Sequence, residues 1–367
     1  MKEIEIVSDR LFVDFSDERN IAREVWDAIC ADPTFKYKLA AVKTDWIVPS
    51  WQGNLNDVFE VKKYINPYIV LSVDGSQIYP DRHQGTACHL INVGYVYLSY
   101  GIAEKNVMFN SVPHVFTGDE EYYEINESPT ELVNCRRQEF EFAAGHELVK
   151  SVKHTDIPLA FFFDGSLIFW HLESKSMEAK QRFLYSYLDS LQQFYESKTL
   201  IAGYISLTKS KELLNLIRIA LCDFVVQGCE QHKMVDHVLD AQIASFYLSP
   251  FERSTIFKNN SKITKYYPEH LHPHFFYMNI DTEIVRIEIP QWIAVDKDKV
   301  DLVSNIIADQ VIKGRGYPVA LAEAHEQAVV KGADREFFYH LINKFNFAHN
   351  RTINISQKSR KKLGMGI

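Results

Sequence analysis

Between residues 68 and 116 the chain runs in apolar stretches separated by short polar breaks: YIVLSVDGSQIY (68–79), HLINVGYVYLSYG (89–101) and NVMFNSVPHVF (106–116). Their β-branched and aromatic content predicts three strands, and the short EKN break before the third predicts an antiparallel meander. At Ser128 the period changes. Ser-Pro-Thr-Glu (128–131) places serine at the N-cap, proline at N1 and glutamate three residues on, a capping box that starts a helix reaching about Lys153. PLAFFFDGSLIFW (158–170) then reads as a strand, about Ser174 to Ser197 as a helix, and LIAGYISL (200–207) as a strand. A further helix starts at Thr208, another capping residue. Beyond residue 221 the runs HFFYMNI and IVRIEIPQWIAV predict two more strands, and 297–313 and 318–346 predict helices. Residues 1–60 carry mixed helical patterning around Trp26, Trp46 and Trp51, to which periodicity assigns no role.

The order from 68 to 220 is therefore β-β-β-α-β-α-β-α. A meander followed by alternating helix and strand sets the fourth and fifth strands parallel to the first, with helices on the sheet faces. That connectivity is the one of the ribonuclease H-like fold, an α/β class with a mixed sheet, here with helical additions on its N- and C-terminal sides. The expected organisation is an N-terminal helical extension over 1–60, one α/β domain over 61–350 and a basic tail over 351–367.

Composition narrows the function. The 367 residues are 46% hydrophobic and 24% charged, ordinary for a globular chain, and no apolar run is long enough for a membrane span. The acidic, mixed start is unlike a signal or transit peptide. Cys30, Cys88, Cys135, Cys222 and Cys229 are odd in number and scattered, which predicts a reducing, cytoplasmic protein without disulfides. A net charge of −8 argues against a general nucleic-acid coat, but not against an enzyme that concentrates carboxylates around metal. Basic residues cluster at KGRGYP (313–318) and SQKSRKKLG (356–364), the second read as a solvated end.

The candidate chemistry lies in a repeated motif. The first and fourth strands both end in Asp-Gly-Ser, at Asp74 and Asp164. Asp-Gly is also a good turn former, so either copy alone reads as a turn. In matching positions of parallel neighbours, however, two carboxylates repel unless a cation lies between them, which is how a hard-metal site is built. A third acid is expected from the helix NCRRQEFEFAAGHELVK. At 3.6 residues per turn Glu139 shares the apolar side with Leu132, Cys135, Phe142 and Ala143, Glu141 falls nearly opposite, and Glu147 lies near Phe140 and Ala143. A carboxylate facing a sheet needs a partner. Glu139 is thus the first candidate, Glu147 the second and Glu141 the third, with a structural ion pair to an arginine as the other reading of Glu139. Further on, GYPVALAEAHEQAVV sets Tyr317 just before a proline-started helix and His325 on that helix's core side, as a packed residue or as a metal or phosphate contact.

Other signals carry less. HLHPH would line up His270, His272 and His274 if extended, and Arg82 with His83 would follow Asp74 in a loop. No phosphate loop of the G-x-x-x-x-G-K-S/T type occurs, so the chain does not read as an ATPase. An actin-type kinase, sharing part of the topology, would want glycine-rich loops that DGSQIYP and DGSLIFW lack.

VDGS, a glutamate-bearing helix, FFDGSL, and GYP with a histidine eight residues after its tyrosine together resemble the NurA nuclease family, from about residue 68 to about 346. The resemblance implies a ribonuclease H-like deoxyribonuclease that uses manganese, or magnesium in its place, on DNA ends and single strands. Its activities would be a 5'-3' exonuclease and a single-strand endonuclease. It also implies a homodimer working with a HerA-type hexameric ATPase in end resection, repair or defence. Asp74 and Asp164 match the strand acids, Tyr317 and His325 the C-terminal pair, and Glu139 the helix acid. On that reading Asp74, Glu139, Asp164 and His325 hold metal, with Tyr317 beside them. The alternative is an inactive adaptor of the same fold that docks on an ATPase ring and guides DNA.

Overall fold

The computed structural model describes residues 15–64, 66–81, 88–102, 107–116, 128–152 and 156–348. Arg82, His83, the EKN break and the basic stretch 356–364 lie outside them. The strands in chain order are β1 (Ser50–Trp51), β2 (Val58–Glu60), β3 (Tyr68–Ile78), β4 (His89–Tyr100), β5 (Val107–Phe116) and β6 (Leu159–Asp164). They continue with β7 (Leu200–Ile205), β8 (Glu252–Ser254), β9 (Phe257–Lys258), β10 (Pro273–Asn279) and β11 (Ile284–Pro290). The longer helices are α1 (Ser16–Ala31), α2 (Pro129–Ser151), α3 (Tyr185–Glu196), α4 (Glu212–Leu221), α5 (Lys297–Lys313), α6 (Val319–Ala328) and α7 (Gly332–Ala348). None is long and apolar enough to cross a membrane. The described residues fall into two compact units, one of 64–164, 169–202 and 309–348, the other of 15–63, 165–168 and 203–308.

In the first of these units the strand order is β5-β4-β3-β6, followed by the start of β7. β3 pairs antiparallel with β4 from Tyr68↔Tyr100 to Ile78↔Leu90, and β4 antiparallel with β5, so the meander is present. β3 runs parallel to β6 from Ile69↔Leu159 to Val73↔Phe163. One further step in that register sets Asp74 beside Asp164. Side chains alternate across the sheet. Leu71, Val73, Phe161 and Phe163 therefore face α2, where Phe142 stacks on Phe163 with ring centroids 4.0 Å apart. Asp74 and Asp164 share the opposite face, on which α6 packs.

α2 begins with the expected capping box, Ser128 accepting from the Glu131 amide while Glu131 reaches back to the Ser128 amide. The helix expected over 174–197 is present as continuous helical backbone from Met177 to Glu196, with a wider π-type turn at Lys180–Leu184 before α3. The strand expected to reach Trp170 stops at Asp164, because Gly165 takes φ +133°. At the far end of β3, Ile78 packs on Phe338 and Tyr339 of α7, and the Tyr339 hydroxyl donates to the Tyr79 carbonyl at 2.8 Å.

α6 lies close to the sheet because Asp74's cross-strand partner is Gly94. A Cβ on Gly94 would stand 2.4 Å from the Ala328 amide nitrogen and 2.7 Å from the Ala324 carbonyl oxygen, both backbone atoms that cannot swing aside. Gly94→Ala is thus expected to push α6 off the sheet and cost about 2–3 kcal/mol in urea unfolding. A change below about 0.5 kcal/mol would mean that α6 is free to shift.

In the other unit β11 pairs antiparallel with Gly203–Ile205 and with β10, and β10 with β9 and β8. Its core includes Ala22, Trp26 and Ile29 of α1, with Leu213, Leu214 and Ile217 of α4 and Phe257, Phe275 and Tyr277 of the strands. Residues 15–31, to which periodicity assigned no role, thus bury an apolar face centred on Trp26. α4 starts at Glu212 rather than Thr208, whose hydroxyl instead meets Ser210. The acceptor for its first turn is Asp240, which takes the Leu214 amide at 2.9 Å from 26 residues away. The expectation of no disulfide is overturned. After α4, left-handed residues Asp223 and Phe224 fold the chain back, so that Cys222 and Cys229 stand 5.8 Å apart at Cα and are joined.

Candidate metal centre

The site is built where β6 ends at Asp164 beside the middle of β3, which continues past Asp74 to Ile78, and it is approached from both faces of the sheet. From α6's side comes His325, whose Nδ1 lies 2.8 Å from Asp74 Oδ2. The other oxygen, Asp74 Oδ1, accepts the Gly75 amide at 2.8 Å. Tyr317 also belongs to this side and hydrogen-bonds Asp164. It is aimed by the KGRGYP stretch, which is a tight turn: Arg315 and Gly316 both have positive φ, and a Cβ on Gly314 would sit 1.8 Å from the Tyr317 carbonyl oxygen. The sequence-predicted residues Asp74, Asp164, Tyr317 and His325 are therefore brought together.

The helix acid at this place is Glu141. Its Oε1 would be 2.4 Å from a Cβ on Gly75, the residue that follows Asp74. Glu139 is elsewhere, bonded to Arg182 Nη1 at 2.6 Å and to Ser186 Oγ at 2.7 Å. Glu147 is exposed and paired with Lys150 at 2.8 Å. The reason is that α2 has two packing neighbours. Its Cys135–Glu139–Phe142–His146 stripe lies toward α3, where Phe142 meets Tyr187 and His146 meets Phe194. Its Asn134–Arg137–Glu141–Gly145 stripe lies on the sheet. Gly145 permits this, since a Cβ there would be 2.6 Å from the Phe161 ring. The ring-fitting glycine one turn after Glu141 was the sequence signal for the sheet-facing side.

Electrostatics mark the same cluster. Glu141's carboxyl is pushed up to about 8, first by burial, then by the Asp74 and Asp164 charges, against the pull of Arg137 and a Gly75 backbone hydrogen bond. Its Oε1 makes no hydrogen bond, with Arg137 Nη1 3.5 Å away while that nitrogen donates to the Gly75 carbonyl at 2.8 Å. Asp164 is also pushed up, by loss of surrounding water and then by Asp74, against Tyr317 and His325. Two acids pushed up beside a third carboxylate are what a divalent cation relieves.

Among the described residues no three histidine, cysteine, aspartate or glutamate side chains stand as a group that could hold a metal ion as they are placed. The acids rest instead on His325, Tyr317 and Arg137. The donor set nevertheless fits a hard divalent ion: carboxylate oxygens, one of them orphaned and buried, with one imidazole. HLHPH forms no such group. His272 and His274 contact ring to ring at 5.8 Å, and burial drives His274 down to about 4.

The family model of the NurA domain matches residues 68–330. The chain belongs to the NurA domain family. All five residues of the cluster fall inside the matched segment. Among solved structures, one titled "Crystal structure of NurA" is 12% identical and covers 93% of this chain and 96% of its own, with a TM-score of 0.46. "Crystal structure of NurA bound to dAMP and manganese" is 11% identical over 93% of this chain and 96% of its own, with a TM-score of 0.37. No curated protein sequence matches the chain.

Proposed function

We propose that this NurA-family chain is a metal-dependent deoxyribonuclease that hydrolyses phosphodiester bonds at DNA ends and in single strands. The observation that carries the reading is the convergence of Asp74, Asp164 and Glu141 where β6 ends beside β3, with Glu141 half-buried, its Oε1 buried without a hydrogen bond, and its proton held to about pH 8. Family membership over residues 68–330 supports it. On this reading the fold is ribonuclease H-like, the activities are a 5'-3' exonuclease and a single-strand endonuclease, and the protein is a cytoplasmic homodimer. It works with a HerA-type ATPase in DNA end processing, repair or defence.

Asp74, Asp164 and Glu141 would hold manganese, or magnesium in its place, as a pair of ions. When bound, these ions supply an acidified water and an electrophilic clamp on phosphate oxygens. Asp74 lies centrally, its two oxygens divided between the Gly75 amide and His325. His325, the more exposed partner, turns its ring toward the incoming phosphate and orients Asp74 from the same helix face. Tyr317 holds Asp164 and offers its hydroxyl where the strand is cut. Arg137 holds the Gly75 carbonyl, in the peptide that joins Gly75 to Ser76.

End-labelled single- and double-stranded DNA, incubated with manganese, magnesium or EDTA, tests this. The wild type is expected to degrade DNA only with divalent metal, and Asp74→Ala to lose at least about a hundredfold of that activity. Equal inertness of both, with and without the ATPase partner, would replace this reading by the adaptor.

A further inference from the structure

The serine of VDGS and its neighbour on the next strand fasten the helix that carries His325. Ser76 and Asn92 are paired directly across β3 and β4, so they lie side by side on one sheet face. The next pair on that face is Asp74 with Gly94. Ser76 Oγ donates to the Ala328 carbonyl. Asn92 Nδ2 donates to the same carbonyl at 2.8 Å and to that of Gln327 at 3.3 Å.

Ala328 closes α6, and the last carbonyls of a helix have no amide of their own helix to accept from. Ala328 is fully buried and Asn92 is buried, so these acceptors depend on the two side chains rather than on water. His325 lies one turn earlier, its carbonyl accepting the Val329 amide at 3.0 Å and its ring meeting Asp74. The last turn of the helix is thus seated on Gly94 and tied down at its end. We infer that Ser76 and Asn92 are positioning residues that hold the last turn of α6 so that His325 meets Asp74. The inference rests on the nuclease reading only for its activity measurement.

Ser76→Ala, Asn92→Ala and the double variant are compared by hydrogen exchange in the metal-free protein, by calorimetric manganese binding and by cleavage of labelled single-stranded DNA. Because both side chains serve one carbonyl, either alone keeps it satisfied. Each single change is expected to raise the manganese needed for half-maximal cleavage about threefold, and the double change about thirtyfold. Exchange at 325–329 speeds up while the rest of the chain keeps its protection, and Ser76→Thr, which retains the hydroxyl, behaves as the wild type. A double variant with wild-type exchange at 325–329 overturns the inference. So does a general loss of protection with unchanged manganese binding, the mark of a merely structural role. A wild type that never cleaves DNA overturns the nuclease reading instead, and the exchange and manganese-binding measurements still decide the clamp.

Discussion

Glu141→Gln is expected to lower manganese-dependent DNA cleavage by roughly a thousandfold while making the metal-free protein more stable near neutral pH. The two effects have one cause. The folded chain keeps the Glu141 proton to about pH 8, whereas the unfolded chain gives it up near the ordinary 4.5. Stability from this group is therefore full below the unfolded value and is lost as pH rises from there toward 8. At 1.36 kcal/mol per unit, with allowance for relaxation around the side chain, the metal-free protein should lose on the order of 2–3 kcal/mol over that window. Glutamine has no proton to lose, so the variant should show a flatter stability curve between about pH 5 and 8. Urea unfolding across that range, with EDTA present, reads the slope. Glu139→Gln is the control. Its partners are Arg182 and Ser186 near the surface, so it should change stability by less than about 1 kcal/mol and activity by less than about threefold. A steep slope surviving in Glu141→Gln, or a dead Glu139→Gln, would return the helix acid to Glu139.

The largest loss of stability is expected at Arg286. Its guanidinium is buried between Glu212 at 2.8 Å and Glu288 at 2.9 Å, lies over the Phe275 ring at 3.7 Å and is 1% exposed. Asp240 stands in the same cluster, pushed up to about 7 by burial and by the Glu212 charge, and bonded to the Tyr277 hydroxyl at 2.7 Å. Arg286→Met keeps much of the volume but leaves buried carboxylates facing one another without their cation. Removing one partner of such a pair costs about 3–5 kcal/mol, which here corresponds to a fall in Tm of roughly 10 °C. Arg218→Met, which breaks the half-exposed pair with Asp236, should cost less than about 1 kcal/mol. Thermal unfolding of the two variants side by side checks the contrast. Equal, small losses would mean that water reaches the Arg286 cluster.

How much of this could be read from the chain depended on whether the deciding partner was near in sequence. The three-strand meander and the capping box at Ser128 rest on local patterns, and both are present; of the twin Asp-Gly-Ser motifs only the second ends its strand, since β3 continues through the first to Ile78. Tyr317 and His325 joined the strand acids through the family resemblance; periodicity alone set His325 on the core side of its helix, whereas its side chain is 59% exposed. The helix acid was harder. A helical wheel assumes one apolar side and one partner, whereas α2 packs on α3 with its Glu139 stripe and on the sheet with its Glu141 stripe. Glycine scores as neutral on a wheel, yet Gly145 is what lets the Glu141 stripe approach Phe161. The start of α4 and the Cys222–Cys229 bond had the same difficulty in other forms. Asp240 supplies a cap from 26 residues away, and the disulfide depends on two left-handed residues that carry no glycine signature.

Manganese titration followed by electron paramagnetic resonance tests the central claim most directly, because it needs neither substrate nor partner. The wild type and Glu139→Gln should bind manganese alike. Asp74→Asn, Asp164→Asn and Glu141→Gln should each weaken binding by at least about tenfold. Wild-type affinity in Glu141→Gln, together with its loss in Glu139→Gln, would contradict the site built here.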